Sequence, residues 1–230
     1  MAERRVVAFG GFRLAEPEHR DFATELVRMT GKPRPRVCFL PQASNERDDY
    51  LVAFYEAFSP LAECTYVVFN PYPERDWRER IGGADVVFVG GGNTANMLAV
   101  WRVHGAPEVL REAWEGGTIM CGSSAGMICW FEAGVTDSFR PELDGMRDGL
   151  GFLPGSACPH YDGEELRRPR YHELVGEGFP GGYAADDAVG LVFEGTEFAE
   201  AIRVLPMKAA YRVELVDGEV VETPISARPL

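Results

Sequence analysis

The sequence predicts an α/β fold: a mostly parallel sheet flanked by helices, followed by a β-rich C-terminal part. Three observations favour it. From residue 6 to residue 121, short apolar runs rich in β-branched residues alternate with amphipathic segments. Most of these apolar runs end at or next to glycine or proline. Beyond Pro141 the runs become shorter and are separated by acidic or glycine-rich loops. Strands that alternate with helices are typical of a parallel sheet covered on both faces, and we expect residues 1–230 to form a single domain.

The N-terminal half supplies the parallel strands and the helices between them. The predicted strands are residues 6–9, 36–40, 64–69, 84–89 and 118–121. Apolar residues at helical spacing predict helices over 18–29, 48–58 and 108–114, a helix through Met97, Leu98 and Trp101, and a short helical turn over 77–81. In such a sheet the functional groups gather at the carboxyl ends of the strands.

The C-terminal part is predicted to be β-rich and to pack on the same sheet. Its candidate strands are residues 150–154, 157–160, 190–193, 204–208, 210–216 and 219–222. The last two are separated by Asp217-Gly218, a dipeptide that favours a tight β-hairpin turn.

Composition excludes several classes of function. The formal net charge of −13 argues against non-specific binding to nucleic acid or to anionic membranes. The five cysteines include no C-x-x-C pair, so the sequence indicates neither a zinc site nor a disulfide framework. No apolar run approaches membrane-spanning length, and residues 1–5 are too short for a signal peptide. We therefore expect a cytoplasmic protein, monomeric or homodimeric, that needs no metal or cofactor.

The strongest motif is residues 122–126, Gly-Ser-Ser-Ala-Gly, which follows the predicted strand 118–121 and precedes a helix-like segment, 127–131. This arrangement is typical of a nucleophile elbow, which places Ser124 at the apex of a sharp strand-to-helix turn. Glycines two positions before and after the serine suit so tight a turn. A flexible turn is the alternative interpretation, so a base and an orienting acid are needed.

Four histidines compete for the role of base. His19 is expected at the surface, His104 follows a helix end, and His172 lies in a charged run that a solvated helix face explains. His160 instead closes the segment 157–160, at a strand end like the elbow. It is the candidate general base, with a loop histidine bonded to Asp162 as the alternative.

Candidates for the orienting acid and the oxyanion hole follow from the same logic. Asp186 and Asp187 precede an apolar run, and one of them could accept the N–H of the histidine. Rival acids are Glu132, Asp137, Asp162 and Glu164. Oxyanion donors could be the backbone N–H of Ala125 and that of Gly91 or Gly92. The glycine-rich run 90–94 lacks the lysine of a phosphate-binding P-loop.

Three segments together resemble the peptidase S51 family, which contains peptidase E and cyanophycinase. They are residues 89–94 (Val-Gly-Gly-Gly-Asn-Thr), 121–127 (Cys-Gly-Ser-Ser-Ala-Gly-Met) and 158–162 (Cys-Pro-His-Tyr-Asp), in the order and near the spacing of that family. The resemblance implies a class I glutamine-amidotransferase-like, flavodoxin-like fold. It also implies a serine hydrolase that acts on peptides containing aspartate.

The resemblance assigns roles to individual positions. Ser124 matches the nucleophile and His160 the base, while Asp187 stands where the family usually has a glutamate. Asn93 and Arg170 are the implied substrate-binding residues, and Arg170 matches the family's aspartate-recognising arginine better than Arg167 or Arg168. The loop between His160 and Arg170 looks shorter than in the aspartyl dipeptidases, so aspartate specificity does not transfer with the triad.

The leading hypothesis is thus a serine peptidase-like hydrolase of small peptides, with Asp-X dipeptides as the first substrates to test. One alternative is an esterase or amidase with the same triad. Another is a catalytically inactive protein that binds a small molecule on this fold. The α/β-hydrolase fold is disfavoured because it expects the chain order serine, acid, histidine, whereas this chain has serine, histidine, acid.

Overall fold

The structure, a computed structural model, describes residues 3–230 and has two β-sheets with seven α-helices. The N-terminal elements are β1 (Arg5–Phe9), α1 (Arg20–Met29), β2 (Arg36–Leu40), α2 (Asp48–Phe58), β3 (Glu63–Tyr66), α3 (Trp77–Gly82), β4 (Val86–Val89), α4 (Thr94–His104), α5 (Ala106–Glu115), β5 (Ile119–Ser123) and α6 (Ala125–Ile128). The C-terminal elements are β6 (Phe131–Thr136), β7 (Asp144–Met146), β8 (Leu153–Cys158), α7 (Arg167–Gly176), β9 (Gly182–Ala185), β10 (Val189–Glu194), β11 (Glu197–Arg203), β12 (Ala210–Val216), β13 (Glu219–Ile225) and β14 (Ala227–Pro229).

The larger sheet has eight strands in the order β14-β11-β10-β1-β5-β4-β2-β3. Strands β1 to β5 of this sheet run parallel to one another, and β10 pairs antiparallel with β1. Successive residues of β1 face opposite sides: Val6 and Ala8 pack into one buried cluster, Val7 and Phe9 into the other. Both faces of the sheet are covered, as the continuous apolar runs predict.

The two faces differ in what covers them. One carries α1 and α2, whose apolar stripes include Phe22, Phe54 and Phe58. The other carries the indole rings of Trp101, Trp114 and Trp130, all buried. The predicted α/β fold with parallel strands and flanking helices is confirmed.

The C-terminal part differs from the expectation in its sheet arrangement. Only β10, β11 and β14 extend the larger sheet, while β6 to β9, β12 and β13 form a second sheet of order β13-β12-β9-β8-β6-β7. The predicted hairpin is confirmed: β12 pairs with β13, and Asp217 and Gly218 have φ values of 52° and 86° at the turn. The predicted strand over 204–208 is wrong, because the chain turns there, with Met207 at a φ of 62°.

The segment after the elbow is also shorter in helix than predicted. Helix α6 ends at Ile128, and Phe131 begins strand β6. Phe131 is buried, as it would be in a helix or in a strand that faces the core. An apolar run of this length does not distinguish a helix from a buried strand. Within residues 3–230, no helix is both long and apolar enough to cross a membrane.

Candidate active site

A cavity of about 770 Å³ opens at the carboxyl ends of the parallel strands. Ser124 and His160 both line it, as does the loop that follows β4. Its wall includes Gly11, Phe12, Arg13, Leu14, Ala15, Ser44, Asn45, Arg47, Asp49, Tyr50, Ala53, Gly91, Gly92 and Ser123. This is the edge of the sheet at which open α/β folds place their ligands.

The backbone around Ser124 has the geometry of a sharp elbow. Ser124 has φ 59° and ψ −110°, a conformation that costs a non-glycine residue roughly 1–3 kcal/mol. A side chain at Gly122 would place its Cβ 2.5 Å from the Gly126 carbonyl oxygen, and one at Gly126 would lie 2.3 Å from the Val89 oxygen. Both flanking glycines are therefore required by close backbone approach. Strain of this kind is concentrated at functional sites.

The two adjacent serines have different surroundings. The Ser123 hydroxyl accepts a hydrogen bond from the Phe12 backbone N–H at 2.7 Å. The backbone N–H of Ser124 is bound to the Phe9 carbonyl at 3.1 Å, which anchors the elbow to β1. Ser123 is thus engaged in structure, and Ser124 is the serine at the apex of the turn.

His160 and Asp187 form a direct contact beside this serine. His160 Nδ1 lies 2.6 Å from Asp187 Oδ1, and the other Asp187 oxygen lies 3.4 Å from Arg13 Nη2. The contact with His160 holds the pKa of Asp187 below its ordinary value, with burial opposing the shift and Arg13 supporting it. Asp187 is therefore ionised at neutral pH and can fix His160 with its Nδ1 protonated and Nε2 free to accept a proton.

Two glycines make room for the Asp187 carboxylate. A Cβ at Gly11 would lie 2.1 Å from Asp187 Oδ1, and a Cβ at Gly163 would lie 2.6 Å from Oδ2. The Asp187 backbone N–H donates to Asp162 Oδ1 at 2.9 Å. Asp162, a rival acid in the sequence, thus supports the Asp187 backbone, and its carboxylate also pairs with Lys208.

Ser124 and His160 share the cavity without bonding to each other. Among residues 3–230, the Ser124 hydroxyl makes no direct hydrogen bond with the His160 ring. Catalytic hydrogen bonds are often long in enzymes without substrate and tighten when substrate binds. The structure therefore brings the two residues to one cavity and forms only the histidine–aspartate half of a triad.

Asp186 faces a different environment from its neighbour. It is 4% exposed, its Oδ2 accepts from the Ala209 N–H at 2.9 Å, and its Oδ1 has no hydrogen-bond partner within residues 3–230. Burial raises the pKa of Asp186 to about 6. Of the two adjacent aspartates, the geometry thus brings Asp187 and not Asp186 to the histidine.

The buried Asp186 carboxyl predicts a pH-dependent stability difference. Its pKa rises from an ordinary value of 3.8 in the unfolded chain to about 6 on folding, so wild-type stability is lost as pH rises through 6. We expect Asp186→Asn to abolish this loss, so that the free energy of unfolding of the variant, relative to that of wild type, rises by about 2 kcal/mol between pH 4 and pH 8. Urea denaturation of both proteins at each pH measures the difference, and an equal difference at both pH values would contradict the assignment.

The glycine-rich loop contributes one free N–H donor near the elbow. Gly91 N–H donates to the Tyr50 hydroxyl at 3.1 Å. Among the residues described, neither the Gly92 N–H nor the Ala125 N–H has a hydrogen-bond acceptor. Asn93 caps α4 by accepting from the Asn96 N–H, and its amide donates to the Ser138 carbonyl. The Asn93 side chain is thus engaged in holding the loop and does not line the cavity.

The arginines implied by the resemblance lie away from the cavity. Arg170 pairs with Glu173 at 2.6 Å and donates to the Leu143 carbonyl. Arg167 pairs with Glu164, another rival acid in the sequence, and Arg168 with Glu222. Arg170, which was expected in the substrate site, does not line the cavity. Helix α7 places its guanidinium beside Asp144 of β7 and Glu173 of the same helix.

Two other arginines line the cavity, and the sequence analysis did not identify either of them as a site residue. Arg13 follows the Gly10-Gly11 end of β1, and Arg47 immediately precedes α2. Both are paired with acids: Arg13 with Glu16 and Asp187, Arg47 with Asp49. The position of Arg13 after a strand end was the signal that could have identified it.

The remaining histidines have structural surroundings. His19 was expected at the surface, and this is wrong: it is buried among Phe12 and Phe22, and its Nδ1 accepts from the Arg13 N–H at 3.0 Å. His104 is the last residue of α4, as expected near a helix end. His172 is on α7, bonded to Glu222. Among residues 3–230, no group of three or more His, Cys, Asp or Glu side chains could hold a metal ion.

Comparison with known proteins identifies the family of this chain. The model of peptidase family S51 matches residues 6–201. The chain is 40% identical to the uncharacterized peptidase YgaJ of Bacillus subtilis, over 99% of both chains. It is 26% identical to the peptidase E of Shewanella denitrificans over 65% of this chain and 63% of that protein. Its identity with the peptidase E of Streptomyces coelicolor is 32%, over 55% of this chain and 51% of that protein.

Solved structures extend the similarity to the whole fold. A peptidase from an acI-B1 Actinobacterium superimposes with a TM-score of 0.71 at 15% identity, over 98% of this chain and 95% of that one. A putative peptidase E from Listeria monocytogenes gives 0.66 at 18% identity, over 88% and 99%. At these identities the structures establish the fold, and the family match over residues 6–201 establishes the relationship. The chain belongs to peptidase family S51.

Proposed function

We propose that this protein is a serine-type peptidase that hydrolyses small peptides with Ser124 as nucleophile, His160 as general base and Asp187 as the orienting acid. The observation that carries the proposal is the 2.6 Å contact of Asp187 with His160, a histidine that lines the same cavity as the strained Ser124 elbow. A nucleophile, a base and an acid that fixes the base are the parts that acyl transfer by a serine needs.

The first half of the reaction forms an acyl-enzyme. His160 Nε2 takes the Ser124 hydroxyl proton while Oγ bonds to the peptide carbonyl carbon and the carbonyl π electrons move to oxygen. The Ala125 and Gly92 N–H groups stabilise this oxyanion because neither has another acceptor among the described residues. Collapse of the intermediate breaks the C–N bond, and the His160 proton goes to the leaving amine. Asp187 stays ionised and holds the imidazolium.

The second half returns the enzyme to its starting state. Water replaces the amine, gives one proton to His160 and bonds through its oxygen to the acyl carbon. Collapse breaks the ester bond to Ser124 Oγ, which takes the proton back from His160, and the carboxylic acid leaves. No metal or redox group enters this balance, and each proton taken up by the imidazole is released within the same half-reaction.

The cavity supports small peptides as substrates. Its volume of about 770 Å³ lies in the range of pockets that hold small molecules. Aspartate specificity has less support, because Arg170 is bound to Glu173 and the cavity arginines already face acids. Asp-X dipeptides therefore remain the first substrates to test and need a panel of neutral dipeptides beside them.

Incubating the purified protein with such a panel and with small acyl esters tests the proposal. Release of free amino acids from dipeptides, detected by chromatography, is the expected result. Hydrolysis of the esters alone would favour an esterase over a peptidase. Hydrolysis of neither set, with no reaction with a serine-directed fluorophosphonate, would contradict an active serine hydrolase.

A further inference from the structure

Tyr50 lines the same cavity as Ser124, and its hydroxyl lies against the loop that could supply an oxyanion donor. Gly91, one of the residues whose N–H could serve that purpose, donates this N–H to Tyr50 Oη at 3.1 Å. A Cβ at Gly91 would lie 3.2 Å from Ser124 Cβ and 3.7 Å from Ser124 Oγ. A side chain at Gly91 would therefore press against the nucleophile, and the Gly91 N–H is bonded to a side chain that itself lines the cavity.

The ring of Tyr50 is held firmly in this position. It extends from α2 and packs edge-on against Phe39, with ring centroids 5.2 Å apart and an interplanar angle of 75°. The lack of a side chain at Gly90 makes room for it, since a Cβ there would lie 2.8 Å from Tyr50 Cε1. A donor fixed before the reaction begins is what stabilisation of a developing charge requires.

The hydroxyl has one proton, and that proton is available. Because the Tyr50 oxygen accepts from Gly91, its own O–H must be directed elsewhere. Within residues 3–230 the Tyr50 O–H has no acceptor. Burial raises the pKa of Tyr50 above its ordinary value, so the hydroxyl stays protonated at neutral and mildly alkaline pH.

We propose that Tyr50 is a catalytic residue whose O–H donates a hydrogen bond to the oxyanion formed at Ser124, in place of the Gly91 N–H. The Gly91 N–H polarises the hydroxyl by donating to its oxygen, which strengthens the bond that the hydroxyl donates. The inference rests on the proposed serine mechanism, and it adds a side-chain donor to the backbone N–H groups of Ala125 and Gly92.

The test compares Tyr50→Phe with Tyr55→Phe. Phenylalanine keeps the ring and removes the hydroxyl, and Tyr55 is a matched control on the same helix whose hydroxyl lies outside the cavity, 3.4 Å from the Cys64 carbonyl. The measured quantity is the rate at which a fluorophosphonate bonds to Ser124, because the phosphonyl oxygen occupies the oxyanion position. We expect about a 100-fold lower rate for Tyr50→Phe and an unchanged rate for Tyr55→Phe.

The opposite role for Tyr50 gives the opposite result. If its hydroxyl only blocks Gly91, Tyr50→Phe frees that N–H, and labelling stays equal or becomes faster, which would overturn the inference and leave the serine mechanism intact. Absence of labelling in the wild-type protein would overturn the serine mechanism and this inference with it.

A fluorinated tyrosine at position 50 separates catalysis from folding. It keeps the hydroxyl and lowers its pKa, so we expect the alkaline decline of the labelling rate to move to lower pH. An unmoved profile would contradict the proposal even if Tyr50→Phe failed to fold. Thermal unfolding of each variant shows whether a lost rate reflects a lost structure.

Discussion

Replacing Ser124 by alanine is expected to lower kcat by about a million-fold on any substrate that the wild-type protein hydrolyses. The reason is chemical: no other hydroxyl stands at the apex of the elbow, where the backbone has φ 59° and ψ −110°. Alanine fits the same space, so we expect the thermal midpoint to change little. Product release measured at saturating substrate, with circular dichroism to confirm folding, gives the result.

Ser123→Ala is the matched control. Its hydroxyl accepts from the Phe12 N–H, so removing it leaves a buried donor unpaired and is expected to cost about 1–3 kcal/mol of stability. The nucleophile remains, and Ser123→Ala is therefore expected to react with a fluorophosphonate at Ser124. Loss of activity in Ser123→Ala together with full activity in Ser124→Ala would assign the reaction to Ser123 and contradict the proposal.

Replacing Asp187 by asparagine is expected to lower kcat by about 10,000-fold at neutral pH. The asparagine amide can donate to His160 Nδ1, which favours the tautomer whose Nε2 carries the proton and cannot accept one from Ser124. The 2.6 Å contact is preserved in shape, so the loss should appear without unfolding. Steady-state kinetics between pH 6 and pH 9 measures it.

Asp186→Asn is the comparison for this variant. Asp186 bonds to the Ala209 N–H and is not in contact with His160, so we expect its substitution to leave kcat within about threefold of wild type. The two substitutions are chemically identical and adjacent in sequence. A larger loss for Asp186→Asn than for Asp187→Asn would contradict the assignment of the orienting acid.

Local patterns predicted the parallel half of the fold well. Strand β2 and helix α2 begin and end at the predicted residues, since Pro41 follows the one and the apolar stripe ending at Phe58 limits the other. Strands β1, β2, β4 and β5 are buried over nearly their whole length, whereas the edge strand β3 is only partly buried. A strand that is buried on both faces has a nearly continuous run of apolar residues, which is easy to identify in the sequence.

The second sheet could not be predicted, because alternating strands carry no information about which sheet they join. Strand β8 pairs with β6 and β9, whereas β10 pairs with β1, and these partners depend on tertiary packing. The strand over 204–208 was predicted from the apolar residues Val204 and Leu205, but the chain turns at Met207.

The candidate site was predictable where strand ends reveal it. Ser124 and His160 both follow strands, β5 and β8, and they meet in the cavity. The residues alone left Asp186 and Asp187 open, because adjacent residues face opposite ways and only the backbone decides which faces the histidine; the family resemblance selected Asp187. The position of Tyr50 in the cavity could not be predicted, since an aromatic residue in an amphipathic helix is expected in the hydrophobic core.

Identifying the residue that bonds to a fluorophosphonate tests the central claim most directly. The purified wild-type protein would be labelled, digested and analysed by mass spectrometry, with Ser124→Ala treated in parallel. The account predicts one adduct, on Ser124, and none in the variant. An adduct on another residue, or hydrolysis of dipeptides that continues undiminished in Ser124→Ala, would contradict it.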